Sequence, residues 1–256
     1  MASQQSQSST DSQTPPPDSA GLLQELEIRS LNTHLPGILL AIFTGSLLLF
    51  WFSAVQHHPA LAHIRTDPAR HQSLAGAIFR TVSHSSEAHV WANIRSLLLP
   101  LVIITFFTQT KRTISYVAVL MVINIIANTF VFIYYIGFSM VIYALNIIAI
   151  LIILDNIRGI AASRDNYPLL APILLLALVT FSLDFLVKVV LEFLFFWGVL
   201  SADFFTFPYT LVFDPTTTTG YTRKSALFHL SGVIFGLCTC VVASTDRLSI
   251  VLAVQR

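Results

Sequence analysis

Residues 137–154 read GFSMVIYALNIIAILIIL, an apolar run that carries Ser139 near its start. A second apolar run near the C-terminus contains HLSGVIFG at residues 229–236 and carries His229. Ionisable or reactive side chains inside hydrocarbon are costly, and they are retained there mainly where they have a function. Both residues lie close to glycines, which allow neighbouring helices to approach. The two runs therefore suggest a serine nucleophile and a histidine base that meet within a bilayer.

The composition of the chain is typical of membrane proteins. Its 256 residues are 55% hydrophobic and 11% charged, with a mean hydropathy of +0.74, whereas soluble domains carry roughly a quarter charged residues. The formal net charge of +1 indicates no basic surface for nucleic acid. Cys238 and Cys240 are two residues apart on one predicted helix and point in different directions, so a disulfide between them is not expected.

The N-terminal residues differ from the rest of the chain. Residues 1–21 are rich in Ser, Gln, Thr and Pro and have almost nothing to bury, which predicts disorder. They lack the basic start and short apolar core of a cleavable signal peptide. Residues 22–31 could form a short amphipathic helix on the membrane surface. We therefore expect a disordered or interfacial cytoplasmic tail over residues 1–34 and a membrane domain over residues 35–256.

The membrane domain contains six segments that approach the roughly 20 apolar residues a span requires. The fourth is short, which would place its start below the membrane surface. Lys and Arg favour cytoplasmic loops, and their distribution places both termini inside. Residues 56–87 and 191–224 then become two long external connections. Both exceed ordinary loop lengths, which often marks a lid, a substrate gate or extra interfacial structure. The six predicted spans are 36–55, 88–108, 114–135, 137–154, 169–190 and 225–245.

Polar residues recur at helical spacing near the outer ends of the second and fourth spans. His84 precedes the second span, which carries His89 and Asn93 one turn apart on one face. Ser139 and Tyr143 show the same four-residue step on the fourth span. Because all these side chains belong to outer halves of their spans, one external cavity could hold them.

The sixth span carries a stripe that could bring its histidine to this cavity. His229, Gly232 and Gly236 stand at i, i+3 and i+7 and share a face. The pair of glycines four residues apart lets a neighbouring backbone approach closely. If that neighbour is the fourth span, His229 lies near Ser139.

Together these motifs resemble those of the rhomboid intramembrane serine proteases. That family has six core spans, with two histidines and an asparagine at this spacing on the second. Its fourth span carries Gly-x-Ser with a tyrosine four residues later, and its sixth carries His-x-x-Gly-x-x-x-Gly. The resemblance covers residues 36–245 and rests on His84, His89, Asn93, Gly137, Ser139, Tyr143, His229, Gly232 and Gly236.

The resemblance implies a catalytic dyad of Ser139 and His229 that needs no metal or organic cofactor. Tyr143 would stack on the imidazole of His229. Asn93, His89 and the backbone N–H of Ser139 would stabilise the developing oxyanion. No acidic residue stands out as a third member of the site.

Two positions complete this comparison with the family. His84 would lie at the rim of the cavity. Met140 stands where the family usually has glycine, and its bulk could crowd the site. The stretch between Ser139 and His229 is also longer than is usual in the family.

The remaining polar residues have structural interpretations. Asp184, Lys188 and Glu192 follow a four-residue step, which predicts a local ion-pair ladder. Asn124 and Asn128 share a face of the third span and are expected to bond to neighbouring helices. Four histidines early in the first long connection lack the spacing of a metal site; they are His57, His58, His63 and His71.

We therefore expect an all-α, six-span protein of the cell membrane whose active site opens to the outside. By resemblance it would hydrolyse peptide bonds in or near the transmembrane segments of single-span proteins. One alternative is a catalytically inactive rhomboid-like protein that binds membrane clients, although inactive relatives typically lose either the serine or the histidine. A second alternative is a small transporter, which would predict internal repeats that the sequence does not show.

Overall fold

The computed structural model describes an entirely helical arrangement. The described residues are 35, 37–49, 51, 58, 73–84, 87–108, 110–132, 135–162, 168–201 and 223–254. The predicted tail, residues 1–34, lies outside them, as do most residues of the two long connections. Seven helices are seen in the described part, and no strand: α1 (Gly37–Leu49), α2 (Leu74–Val82), α3 (Glu87–Phe107), α4 (Thr110–Phe130), α5 (Ser139–Ala162), α6 (Leu170–Phe196) and α7 (Arg223–Val254).

Five of these helices are long and apolar enough to cross a membrane. A helix rises 1.5 Å per residue, so about 20 residues match the hydrocarbon thickness. Large apolar side chains such as Leu176 and Ile234 are exposed on them, at 68% and 59%, as expected for surfaces that face lipid. These features are compatible with an integral membrane protein. The five apolar stretches are His89–Phe107, Arg112–Phe130, Ser139–Ala162, Ala171–Phe196 and Arg223–Val242, while α1 is shorter.

The centre of the arrangement is α5. Every residue from Ser139 to Ile150 is buried, which is expected of a helix that is apolar on all sides. The helix packs most extensively against α7, then against α3, and it also contacts α6 and α4. Residues near the start of α5 are therefore within reach of several neighbouring helices.

The expectation of a short fourth span is wrong. α5 continues beyond Leu154 to Ala162 and so includes the polar residues Asp155, Asn156 and Arg158. The apolar run ends at Leu154, but helical hydrogen bonding does not depend on hydropathy and continues. The length of the helix therefore gives no reason to place Ser139 below a membrane surface.

The glycine stripe of α7 lies against α5, as predicted. A Cβ atom on Gly232 would be 3.0 Å from the Cβ atom of Tyr143, and one on Gly236 would be 2.6 Å from the carbonyl oxygen of Ala144. Only glycine allows so close an approach of the two backbones. The Met140 side chain is accommodated beside Ala127 of α4 and Phe228 of α7.

The short helix α2 is hydrogen-bonded to the end of α4 and to the loop before α5. The amides of Asn124 and Asn128 donate to the Thr81 hydroxyl at 3.1 and 3.2 Å, which confirms their predicted bonds to a neighbouring segment. The buried Arg80 guanidinium donates to the carbonyl of Asn128 at 2.7 Å. The carbonyl of Arg80 in turn accepts from the N–H of Gly137 at 2.8 Å. The first long connection thus contains a helix, α2, which is hydrogen-bonded to the loop that precedes Ser139.

Candidate active site

The turn before α5 depends on Gly137. Its φ angle of +114° lies in a region that side chains rarely adopt. A Cβ atom there would be 3.6 Å from His84 Nε2 and 3.9 Å from Asn93 Nδ2. Those distances are ordinary van der Waals contacts, so it is the backbone angle that favours glycine where the chain enters α5 at Ser139, whose side chain is buried.

A line of hydrogen bonds leads from Ser139 to the far side of His229. The hydroxyl of Tyr135 lies 3.0 Å from Ser139 Oγ and 3.1 Å from His229 Nε2. On the other side of the imidazole, Nδ1 lies 3.0 Å from Oε1 of Glu192. Tyr143 donates its hydroxyl to the same carboxylate oxygen. The structure therefore brings together the predicted serine and histidine, with a tyrosine hydroxyl bonded to both.

Tyr143 stacks on His229 as expected. The two ring centroids are 4.5 Å apart and the planes differ by 13°. The ring of Phe185 meets Tyr143 edge-on at 5.4 Å, and Lys188 Nζ lies 5.0 Å from its centroid. This packing limits the positions that the imidazole of His229 can take.

His229 has an acidic partner, Glu192, although no acidic residue stood out in the sequence as a third member of the site. The predicted fifth span ended at residue 190, whereas α6 continues to Phe196 and carries Glu192 against α7. The carboxylate is buried beside His229, which lies 37 residues away in the sequence. An acidic side chain within an apolar helix requires a partner, and this was the available signal. The ion-pair ladder predicted for Asp184, Lys188 and Glu192 does not include this contact of Glu192 with His229.

Tyr135 is a second residue of the site that the sequence pattern did not indicate. It precedes Ser139 by four residues, the same step that separates Ser139 from Tyr143. Its role cannot be inferred from that step, because Tyr135 lies in the loop before α5, and a helical face extends only through helical residues. Burial raises the pKa of its phenol above the ordinary value, so the hydroxyl stays neutral and can both donate and accept.

A second polar group adjoins the start of α5 from the side of α3. Nδ1 of His84 donates to the carbonyl of Val82 at 3.2 Å, since a carbonyl can only accept. Nε2 of His84 must then accept, and it does so from the amide of Asn93 at 2.8 Å. This bond fixes which end of the Asn93 amide is the nitrogen and where it points.

His84 is buried and does not lie at a rim. Its side chain is 1% exposed, with the rings of His89 and Phe138 meeting it edge-on at 5.1 and 5.3 Å. Burial, together with the nearby His89, lowers the pKa of His84 to about 3. The imidazole is therefore neutral near pH 7 and keeps the lone pair that accepts from Asn93.

One assignment of protons satisfies the whole line of hydrogen bonds. With a carboxylate at Glu192, both Tyr143 and His229 Nδ1 donate to it. Nε2 of His229 then carries a lone pair and accepts from Tyr135, whose oxygen accepts from Ser139. Each hydroxyl donates once, and the serine proton has a route to a base. Such a route is the chemical requirement for an activated serine.

No family model, no curated protein and no solved structure matches the chain. Within the part of the chain that the structure describes, no group of three His, Cys, Asp or Glu side chains could hold a metal ion. Of the histidines in the first long connection, His58 is exposed, and His57, His63 and His71 lie outside the described residues.

Proposed function

We propose that the protein is an intramembrane serine protease of the rhomboid type, with Ser139 as its nucleophile and His229 as its base. The observation that carries the proposal is the hydrogen-bonded line from Ser139 through Tyr135 to His229. A membrane serine usually bonds to its own helix backbone, as Ser182 does to the carbonyl of Leu178. Ser139 instead stands at a helix start and bonds to a group that contacts an imidazole.

The serine is activated by a proton transfer through the tyrosine. As Ser139 Oγ forms a bond to the substrate carbonyl carbon, its proton passes to the oxygen of Tyr135. The phenol proton of Tyr135 passes to His229 Nε2 in the same step, so the phenol remains neutral throughout. The C–N bond then breaks as the proton on Nε2 passes through the Tyr135 hydroxyl to the leaving amine nitrogen. Water next attacks the acyl carbon while one of its protons passes through Tyr135 to Nε2, and that proton returns to Ser139 Oγ as the ester bond breaks and the acid is released.

The oxyanion of the tetrahedral intermediate would form beside the loop that contains Gly137. Asn93 Nδ2 carries two protons, and only one is used in the bond to His84. The second proton, the backbone N–H of Ser139 and the ring of His89 are the candidate donors. Losing one such donor typically lowers the rate by about a hundred- to a thousandfold.

The proposed architecture is a six-span bundle in which α1 belongs to the first span. Both termini face the cytoplasm, and the site opens to the outside of the cell membrane. Substrates are single-span proteins, cut in or near the transmembrane segment, and no cofactor takes part. Support comes from the five apolar helices and from the spacing of the motifs.

A catalytically inactive protein that binds membrane clients is the second candidate. The observation that favours it is the position of the Tyr135 hydroxyl, which stands between the serine and the histidine in this structure. If that hydroxyl blocks the pair instead of relaying a proton, the fold would bind clients without cleaving them.

Covalent labelling of the serine separates the two candidates. Purified protein in lipid should react with a fluorophosphonate probe, and Ser139→Ala should abolish the reaction. His229→Ala should suppress labelling nearly as much, and the double variant should be little worse than either single one. Ser182→Ala is the matched control and should label like the wild type. A folded wild type that resists the probe would leave only the client-binding candidate.

A further inference from the structure

We propose that Glu192 is a positioning residue for His229, so that the site works as a serine–histidine–glutamate triad. This proposal rests on the proposed function and adds a member that the sequence analysis did not name. The carboxylate oxygen Oε1 lies 3.0 Å from His229 Nδ1, on the opposite side of the ring from the Tyr135 hydroxyl. The acidic partner of a catalytic triad occupies this place relative to its histidine.

Glu192 and His229 are both buried, so the carboxylate is stable only if it accepts hydrogen bonds. The His229 and Glu192 side chains are only 11% and 4% exposed, and a carboxylate removed from water is strongly destabilising without donors. Two donors converge on the same oxygen, the imidazole and the Tyr143 hydroxyl. A lipid-facing helix such as α6 could carry leucine at this position at far lower cost. The carboxylate therefore has a task that an apolar residue cannot perform.

That task is to fix the imidazole in one tautomer and one orientation. With the carboxylate accepting from Nδ1, the lone pair of His229 is held on Nε2, toward Tyr135 and Ser139. When Nε2 takes up a proton, the nearby negative charge stabilises the imidazolium. Glu192 itself takes no proton in the cycle, so the step remains balanced without it.

The stack of Tyr143 on His229 completes the arrangement. The ring limits tilting of the imidazole, while its hydroxyl holds the carboxylate oxygen that the imidazole needs. Tyr143 thus contacts both partners, since it stacks on His229 and donates a hydrogen bond to Glu192. The helices α5, α6 and α7 supply Tyr143, Glu192 and His229 respectively.

The test compares Glu192→Gln with Glu192→Asp in the full-length protein. The glutamine variant keeps the volume and loses the charge, and its fluorophosphonate labelling at Ser139 should slow by about 10²- to 10⁴-fold. The aspartate variant keeps the charge and should recover at least tenfold over the glutamine variant. Asp184→Asn is the matched control, since Asp184 lies on α6 but is exposed, and it should label at the wild-type rate.

A spectroscopic measurement distinguishes positioning from a merely structural tie between helices. The ¹⁵N shifts of His229 in the wild type should report a proton on Nδ1 alone, and Glu192→Gln should give a mixture of tautomers. If the glutamine variant does not fold, Tyr143→Phe keeps the stacked ring and removes the second donor, and it should slow labelling by about tenfold.

The outcomes separate the two proposals. A wild type that labels at Ser139, with Glu192→Gln labelling equally fast, overturns the triad and leaves the protease proposal standing. A single His229 tautomer that is unchanged in the glutamine variant also overturns the triad. A folded wild type that does not label overturns both proposals.

Discussion

The helices α5 and α6 are nearly equal in length and hydropathy but differ in where they lie. Within the 18-residue apolar stretch of each helix, 67% of the residues are buried in α5 and 11% in α6. α5 is surrounded by neighbours, whereas α6 contacts the rest of the protein along one side. Hydropathy therefore identifies a membrane-length helix without showing whether its side chains meet protein or lipid.

The difference also explains how each helix contributes to the candidate site. α5 supplies Ser139 and Tyr143 from a fully packed stretch. α6 supplies Glu192 from the narrow stripe along which its buried residues lie, with Phe185 and Phe195 on the same side. A charged residue on such a stripe is informative because most of the helix surface offers it no partner.

The largest expected effect comes from separating α5 from its main neighbour. Gly236→Val should abolish labelling of Ser139 and destabilise the protein by about 3 kcal/mol, because the new side chain would collide with the Ala144 carbonyl. Probe labelling and thermal unfolding measure the two effects. Gly159→Val is the control, since a Cβ atom at Gly159 meets nothing within 4 Å. Full activity in Gly236→Val would show that α5 and α7 need not touch.

Replacing one leucine in each helix tests whether α5 is more tightly packed than α6. Leu145 of α5 is 0% exposed and Leu176 of α6 is 68% exposed. Leu145→Ala should cost about 2 kcal/mol or more, because it leaves a cavity. Leu176→Ala should change stability by less than about 0.5 kcal/mol. Equal costs for the two variants in thermal unfolding would show that α6 is as packed as α5.

Tyr135 in the loop before α5 and Glu192 of α6 contact opposite sides of His229, so the effects of their substitutions on Ser139 labelling can be compared. Tyr135→Phe removes the hydroxyl bonded to both Ser139 and His229 while keeping the ring beside Phe228. If the phenol relays the proton, labelling should slow by roughly 10²-fold, which is typical of an acid–base group. The labelling rate of Tyr135→Phe should fall below that of Glu192→Gln by no more than about tenfold. Faster labelling in Tyr135→Phe would mean that the hydroxyl blocks the site.

Local sequence determined much of the fold. Runs of about 20 apolar residues gave the existence of the long helices, because a span is defined by its own composition. The four-residue step from Ser139 to Tyr143 placed these two residues on one face of α5, and the i, i+3, i+7 spacing placed His229, Gly232 and Gly236 on one face of α7. The close approach of α5 and α7 followed from Gly232 and Gly236. The stacking of Tyr143 on His229 was implied by the resemblance and not by the spacing alone.

Helix ends were less accessible to sequence reasoning. α5 and α6 both continue beyond the ends of the predicted spans, residues 154 and 190, and this extension brings Glu192 into α6. Hydropathy falls at a polar residue, but a helix ends only where its hydrogen bonding stops.

The tertiary structure alone decided which polar groups meet at His229. Tyr135 and Glu192 lie 94 and 37 residues from it in the sequence. Their meeting depends on how each helix is rotated about its axis and on the path of the loop at Gly137. Those rotations are set by side-chain packing between helices, which a hydropathy profile does not contain. The sequence supplied a serine and a histidine on facing helices, and the packing placed a hydroxyl between them and a carboxylate behind them.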